Sequence, residues 1–345
     1  MNLHKLFGFF SSDLGIDLGT TNTLVYARGR GIVVNEPSLV ALNRKSRKIE
    51  AIGREAKEML GRAPRDLEAI EPLKDGVIAN FDVTEKMLRR FVSQAQRDRR
   101  ILNPKVVIGV PGEANTVERR AVEDAAYRAR ASKVFMVPEA MAAAIGAGLP
   151  TDEPCASMVV DLGGGTTDIA VLSLSGVVYA REVRVAGRSL DEAIIEHVRR
   201  KHKLLIGKLT AERIKVEIGS ALPLRSPLSA EARGKSVTEG APRSITVTDE
   251  EVREALTGPL NVINSAVREA LAHVPPELSN DLVDAEITIT GGTALLRNLD
   301  RRLMEETGLP VTVDANALSS VALGVGRMLE DARLLSRSTC EALTE

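Results

Sequence analysis

Two short stretches of the chain carry nearly the same order of apolar and polar positions. Residues 16–25 read IDLGTTNTLV, and residues 160–171 read VDLGGGTTDIAV. In each stretch an apolar run ends in an aspartate, glycine and threonine follow, and a second apolar run begins, which predicts a β-hairpin with a polar tip. One such tip is most often turn chemistry alone. Because the pattern occurs twice in the same order, we interpret it as the mark of two related halves.

The rest of the first half alternates predicted strands with predicted helices, and residues 150–154 are typical of a linker into the second half. The pattern predicts a strand, turn and strand over 38–52, helices over 54–61, 83–98 and 116–131, strands over 105–110 and 134–137, and an alanine-rich helix over 138–146.

The second half repeats this plan with a larger insertion. Thr248 and Glu251 form a predicted capping box that opens a long helix, in which Gly258 and Pro259 are a candidate kink. The pattern also predicts helices over 188–203 and 210–220, a loop and hairpin over 223–242, a strand over 286–290 and a last helix over 318–330.

Composition narrows the classes of protein that fit. The chain has 345 residues, 44% of them hydrophobic, which is enough for two domains with cores, and it is too rich in charge for a membrane-embedded protein. Its 46 Lys and Arg balance 47 Asp and Glu, so no overall charge attracts nucleic acid, and we expect no nucleic-acid partner. Cys155 and Cys340 lack the spacing of a redox or metal motif, which suits a reducing compartment.

The residue types at the two tips predict a clamp for a magnesium-bound polyphosphate. Glycine lets the backbone approach phosphate oxygens, and threonine hydroxyls add hydrogen-bond donors. Asp17 and Asp161 would repel phosphate, so a divalent cation or its water shell should lie between them and the ligand.

Six segments together resemble the ATP-binding segments of the superfamily of actins, sugar kinases and heat-shock chaperones. Within it, the chain is most similar to the MreB family of bacterial actins, which support rod shape, and the similarity extends over nearly the whole chain. Two further segments, TAERIKVEIG at 210–219 and VPPEL at 274–278, also resemble that family. The six segments are DLGTTNT from Asp17, VIGVPG from Val107, PEAMAAAIGAG from Pro138, DLGGGTTD from Asp161, VAG from Val185 and ITGGTALL from Ile289.

The resemblance implies an α/β protein with the actin-like ATPase fold: two similar domains, each a mixed RNase H-like sheet flanked by helices, with the nucleotide in the cleft between them. We expect domains over 13–150 and 151–335, with small subdomains at about 36–80 and 184–250 and a tail at 336–345.

It also implies roles for individual residues, with ATP and Mg²⁺ as cofactors. Asp17 and Asp161 would hold Mg²⁺ through water, while Glu139 and Thr167 would position the attacking water. Without the resemblance, Glu212 and Lys215 would equally be read as a solvated helical ion pair. The residues expected to contact the nucleotide are Gly19, Thr20, Thr21, Asn22, Gly163, Gly164, Gly165, Thr166, Gly187, Glu212, Lys215, Gly291, Gly292 and Thr293.

Three positions depart from the pattern of the family. Asp168 stands where glutamate is usual, Ala140 where proline is frequent, and Thr293 where a third glycine is usual. The first keeps the charge with a shorter reach, and the last narrows the space beside the nucleotide. Neither removes a phosphate contact, so we expect nucleotide binding to persist.

The N-terminus predicts a second function, attachment to a membrane surface. Leu3, Leu6, Phe7 and Phe10 fall on one face of a short helix, which is too short to span a bilayer. An interfacial anchor, a helix docked on the protein body and a disordered leader all fit, and the resemblance favours the anchor.

Ile101 and Leu102 follow a run of arginines in a predicted loop. On the residues alone a basic solvated helix is the better interpretation, whereas the resemblance favours insertion into an anionic leaflet.

These expectations describe a cytoskeletal ATPase that forms filaments of its own copies. It would lie in the cytoplasm, peripherally on the inner face of the anionic cytoplasmic membrane, and the resemblance adds the cell-wall elongation machinery as a partner. An actin-like filament that positions plasmids or organelles stays open as an alternative, as does, less strongly, a small-molecule kinase. A chaperone-type ATPase would need a peptide-binding domain after the second half.

Overall fold

The computed structural model describes residues 13–61, 66–96 and 103–339. The predicted N-terminal membrane helix, with Leu3, Leu6, Phe7 and Phe10, lies outside the described residues, as do Ile101 and Leu102. Among the described helices, none is both long enough and apolar enough to cross a bilayer.

The first half is built on a five-stranded sheet in the order β10-β9-β1-β2-β3. Strands β1 and β2 form the first predicted hairpin, and β9 and β10 run parallel to β1. The strands of this half are β1 Leu14–Leu18, β2 Asn22–Ala27, β3 Gly31–Pro37, β4 Val40–Asn43, β5 Ile49–Ile52, β6 Leu67–Ile70, β7 Leu73–Lys74, β8 Val77–Ile78, β9 Lys105–Val110 and β10 Lys133–Pro138.

The second half repeats that topology with the sheet order β18-β17-β11-β12-β13. Strands β11 and β12 form the second hairpin, and β17 and β18 again add parallel neighbours. Two mixed sheets of the same strand order confirm the predicted α/β fold with its internal duplication. The strands are β11 Ser157–Leu162, β12 Thr167–Ser173, β13 Gly176–Val183, β14 Leu204–Leu205, β15 Ser229–Ser236, β16 Pro242–Thr248, β17 Ile287–Thr290 and β18 Val311–Val313.

Helices flank both sheets, and smaller sheets, β5-β4-β6 and β14-β15-β16, sit beyond them. The predicted capping box is present at the start of α7, where Thr248 and Glu251 bond each other's backbone N–H, and α7 continues through Pro259. The helices are α1 Arg54–Met59, α2 Phe81–Gln96, α3 Thr116–Arg128, α4 Glu139–Ala147, α5 Gly187–His202, α6 Lys208–Ile218, α7 Asp249–Ala272, α8 Pro276–Asp284, α9 Leu299–Thr307, α10 Ser320–Glu330 and α11 Ala332–Ser338.

Helix α11 falls partly in the stretch that the sequence assigned to a tail at 336–345. The carboxylate of Asp331 accepts hydrogen bonds from the backbone N–H groups of Arg333 and Leu334, so it caps a new helix one residue after α10 ends. The predicted last helix, over 318–330, is therefore followed by another.

The two halves meet at a crossing of α4 and α10. Each half has its own apolar core, and a third apolar cluster joins β9, β10, β11 and β12 to these two helices. The crossing is so close that a Cβ on Gly324 would lie 1.8 Å from the Ala142 carbonyl oxygen, and one on Gly146 would lie 1.8 Å from the Ser320 carbonyl oxygen. Because α10 also packs on β1, β2 and β9, the expected division, which gave 151–335 to the second half, does not anticipate its position.

Candidate functional site

A cavity of about 500 Å³ lies between the two halves, and residues of both hairpin tips line it. The first half lines it with Asp17, the tip residues 19–22 and Glu139. The second half contributes Asp161, Gly163, Gly164, Thr166, Gly187, Glu212, Lys215, Gly291, Gly292 and Thr293. The fold therefore gathers at one place residues that lie far apart in the sequence, from Asp17 to Thr293.

The two hairpin tips touch. A Cβ added to Gly164 would lie 1.9 Å from the Thr21 hydroxyl oxygen, so only glycine allows this approach. Gly165 packs in the same way on Thr20, whose hydroxyl oxygen would be 2.9 Å from an added Cβ. Gly165 is absent from the cavity lining, in contrast to its predicted nucleotide contact, because this packing turns it toward the other tip.

Hydrogen bonds from neighbouring segments hold the first tip in shape. The Ser38 hydroxyl donates to the Gly19 carbonyl oxygen at 2.6 Å, and the Gly76 N–H donates to the Thr20 hydroxyl at 3.0 Å. The second tip is closed by its own backbone, since the Gly163 N–H donates to the Thr166 carbonyl oxygen at 2.9 Å. Each tip therefore has hydrogen bonds within its own half of the chain.

Two carboxylates lie at matching places in the two halves. Asp17 is near the end of β1 and Asp161 near the end of β11, and the Thr290 hydroxyl donates to Asp161 Oδ1 at 3.0 Å. Burial raises the pKa of Asp17 from 3.8 to about 7, with a smaller contribution from the charge of Asp161. Burial also raises the pKa of Asp161 to about 6, against the opposing effect of the Thr290 hydrogen bond.

Two more carboxyl groups near this pair, those of Glu139 and Asp168, also have raised pKa values. Burial, and then the charge of Asp168, holds the pKa of Glu139 well above its usual range. The pKa of Asp168 is raised as well, by burial first and then by Glu182, which is its cross-strand partner on β13. Such a concentration of negative charge in a cavity is costly and favours a cation.

The donor set fits a hydrated magnesium ion. Mg²⁺ prefers oxygen ligands and keeps several of its waters, so it is commonly held by one or two carboxylates together with phosphate oxygens. Asp17 and Asp161 offer carboxylate oxygens inside the cavity. Within 13–61, 66–96 and 103–339 no three His, Cys, Asp or Glu side chains are arranged to hold a metal ion.

Glu139 is the first residue of α4 and lines the cavity. Gly109 makes room for it, since a Cβ there would lie 3.1 Å from Glu139 Cγ. Thr167, its predicted partner, is placed differently: its hydroxyl donates to the Val185 carbonyl oxygen at 2.8 Å, and the residue is fully buried and absent from the lining. Its neighbour Thr166 faces the cavity instead, because successive residues along an extended segment point to opposite sides.

The residues of the second half that are expected to contact the nucleoside also line the cavity, and several of them pack against the second tip. Lys215 Nζ donates to the Gly187 carbonyl oxygen at 2.8 Å and pairs with Asp191 at 2.8 Å. Gly291, with φ of +82°, follows β17, and a Cβ there would lie 2.3 Å from the Leu162 carbonyl oxygen. The hydroxyl of Thr293 donates to the Gly163 carbonyl oxygen at 2.8 Å.

Ion pairs between the halves also line the cavity, and four of their five residues, Lys57, Glu71, Arg188 and Lys208, were not predicted from the sequence. Lys57 pairs with Glu212 at 3.1 Å, and Glu71 accepts from Lys208 at 3.4 Å and from Arg188 at 3.1 Å. All five side chains line the cavity. The only local signal was the position of Arg188 directly after the VAG segment, because pairs between distant helices and strands are a result of tertiary packing.

Comparison with known proteins identifies a family to which the sequence is similar. The sequence model of the MreB/Mbl protein family matches residues 11–337. The cell shape-determining protein MreB of Escherichia coli is 53% identical over 333 residues, which cover 95% of this chain and 96% of that protein.

Solved structures agree in fold. MreB5 of Spiroplasma citri bound to AMPPNP superposes with a TM-score of 0.88 at 33% identity, over 93% of this chain and 96% of that one. A chain from the MamK double helical filament shares the fold, with a TM-score of 0.78 at 24% identity, over 92% of this chain and 98% of that one.

Proposed function

The chain belongs to the MreB/Mbl family of actin-like, cell shape-determining proteins, and on this premise we propose that it is an ATP-dependent cytoskeletal filament protein that maintains rod shape. Binding and hydrolysis of ATP, polymerisation and attachment to the membrane are the parts of this proposal. The single observation that carries it is the contact of two matched hairpin tips across a cavity of about 500 Å³.

The nucleotide is expected to lie with its phosphates between the tips. Backbone N–H groups of 19–22 and 164–166, together with the hydroxyls of Thr20, Thr21 and Thr166, would bind the phosphate oxygens. Glu212, Lys215 and residues 291–293 would surround the nucleoside, and the AMPPNP complex of MreB5 supports a nucleotide in this fold.

Magnesium would be held by Asp17 and Asp161 through its water shell. When bound, the ion supplies positive charge that offsets the phosphates and the buried carboxylates. A bound cation would favour the ionised form of both aspartates and so oppose the effect of burial on their pKa values, and we therefore expect cation and nucleotide to bind together.

Glu139 is proposed to orient the attacking water. It enters the cavity at the start of α4, where its carboxyl group can form a hydrogen bond with a water molecule beside the terminal phosphate. Thr166, which lines the cavity, replaces Thr167 in this proposal as the second group near the water. Filament contacts that rotate the two halves would bring these groups into line with the terminal phosphate.

Self-association into filaments is supported by the fold that the chain shares with the MamK filament subunit. Attachment to the inner face of the cytoplasmic membrane would rest on the apolar face of residues 1–12, with the cell-wall elongation machinery as a further partner. Because a filament presents many copies on one surface, weak helices can together give stable attachment.

The test is calorimetric titration of ATP with and without Mg²⁺, together with phosphate release. The wild type should bind ATP with Mg²⁺, and Asp161→Asn should lose at least about tenfold in affinity, since a charge-assisted contact is worth about 1.5–3 kcal/mol. Asp152→Asn, at an exposed position, is the matched control. A wild type that binds no nucleotide, or one that transfers phosphate to a sugar or acetate, would contradict the proposal.

A further inference from the structure

Arg188 is the one cavity residue among those described that is bonded to both hairpin tips. Its backbone N–H donates to the Gly164 carbonyl oxygen of the second tip at 2.8 Å. Its guanidinium Nη2 donates to the Thr20 carbonyl oxygen of the first tip at 2.8 Å. The side chain lines the cavity with 23% of its surface exposed.

The position of Arg188 in its helix explains the first bond. It is the second residue of α5, where backbone N–H groups have no partner within the helix. The carbonyl oxygens of the second tip satisfy two of them, since the Gly187 N–H also donates to the Gly163 carbonyl oxygen, at 3.2 Å. The backbone of Arg188 is therefore fixed relative to the second tip.

The guanidinium then reaches across the cleft. Nη1 pairs with Glu71 at 3.1 Å while Nη2 holds the Thr20 carbonyl oxygen, so the planar fork uses two acceptors of the first half at once. A peptide unit is planar, with its C=O and N–H pointing in opposite directions. Holding the Thr20 carbonyl thus fixes the direction of the Thr21 N–H.

We propose that Arg188 is a positioning residue that sets the spacing of the two tips and orients the Thr21 N–H for phosphate. This inference rests on the proposed nucleotide binding and adds to it. The first tip reaches its phosphate-binding geometry only when the second half is close enough for the guanidinium to reach Thr20. Cleft closure and phosphate binding are therefore coupled through one side chain.

The test compares Arg188→Ala, Arg188→Gln and Arg188→Lys for affinity toward Mg-ATP by calorimetry. Arg188→Ala should bind about 10- to 100-fold more weakly, the loss of a charge-assisted hydrogen bond. Arg188→Gln keeps an amide donor and should recover part of the loss. Arg199→Ala, on the exposed side of the same helix, is the matched control and should bind like the wild type.

Hydrogen exchange of the nucleotide-free protein provides a readout that does not depend on ligand. Peptides covering residues 18–24 should exchange faster in Arg188→Ala than in the wild type, while the melting temperature stays close to that of Arg199→Ala. An affinity for Mg-ATP within threefold of the wild type, with unchanged exchange, would overturn the inference alone.

Two other results are equally informative. Rescue of affinity by Arg188→Lys but not by Arg188→Gln, with unchanged exchange at 18–24, would mean that the residue acts as a charge on phosphate and would also overturn the positioning role. A wild type that binds no nucleotide would refute the proposed function and this inference with it.

Discussion

Replacing Asp17 by asparagine should stabilise the nucleotide-free protein and should also remove a carboxylate that the proposed binding of Mg-ATP requires. The wild-type carboxyl has its pKa raised from 3.8 to about 7, by burial first and then by Asp161. Asparagine has nearly the same shape and carries no charge. The substitution therefore removes the electrostatic cost and leaves the packing in place.

The magnitude follows from the pKa shift. A shift of about 3 units corresponds to about 4 kcal/mol, at 1.36 kcal/mol for each unit. Burying the amide in place of the carboxylate costs about 1–3 kcal/mol. We therefore expect a net gain of about 1–3 kcal/mol at pH 8 and a melting temperature that rises by several degrees.

The sign of the pH dependence gives a second check. Because the pKa of Asp17 in the folded chain lies above its unfolded value, the native state binds more protons, and wild-type stability falls as pH rises from about 4 to about 7. The Asp17→Asn variant should lose this contribution and keep that of Asp161, which falls between about pH 4 and about pH 6.

Thermal unfolding in the presence of a chelator, from about pH 5 to about pH 8, measures both effects. The exposed Asp152→Asn variant is the control, and its stability should follow that of the wild type. With Mg-ATP added, the order should reverse, because the ligand stabilises only chains that bind it. A variant Asp17→Asn that is less stable than the wild type at pH 8 without ligand, or that keeps the full wild-type pH slope, would refute the reasoning.

Three further predictions concern ATP hydrolysis, the crossing of α4 and α10, and membrane attachment. Glu139→Ala should keep Mg-ATP binding and lower phosphate release by about 100-fold or more; wild-type turnover would remove Glu139 from the role, and Glu277→Ala is its surface control. Gly324→Ala should destabilise the chain by about 3 kcal/mol or more in urea titrations, because its Cβ would meet the Ala142 carbonyl oxygen at 1.8 Å. The control is Gly258→Ala, which should not destabilise the chain because an added Cβ there meets no atom within 4 Å. Equal stability of the two variants would contradict the close crossing. Deleting residues 1–12 should abolish co-pelleting with anionic liposomes and leave Mg-ATP binding unchanged, and pelleting at the wild-type level would exclude this segment as the anchor.

Local patterns predicted the elements around the site closely. Strand β9 has the predicted bounds, and the Thr248 capping box begins α7 as expected. These features are set by residues that are neighbours in the sequence, through alternation, capping and turn preference. The duplicated Asp-Leu-Gly motif likewise predicted two hairpins, and the structure has both.

The sequence did not predict which way side chains point at the tips or which residues contact each other across the cleft. The choice between Thr166 and Thr167 depends on which side of an extended segment faces the cavity, and Val185 captures the hydroxyl of Thr167. The bridging role of Arg188 depends on the distance between two halves that each have their own core. Helix α10 follows the strands of the second half in sequence but packs on β1, β2 and β9 of the first sheet, and Gly324 allows its close contact with α4.

The measurement that most directly tests the central claim is electron microscopy of the full chain on anionic liposomes, with and without Mg-ATP, beside the chain that lacks residues 1–12. We predict filaments only with nucleotide, lying on the lipid surface only when residues 1–12 are present. A chain that binds Mg-ATP, stays monomeric and ignores lipid would contradict the cytoskeletal function and leave the actin-like fold in place.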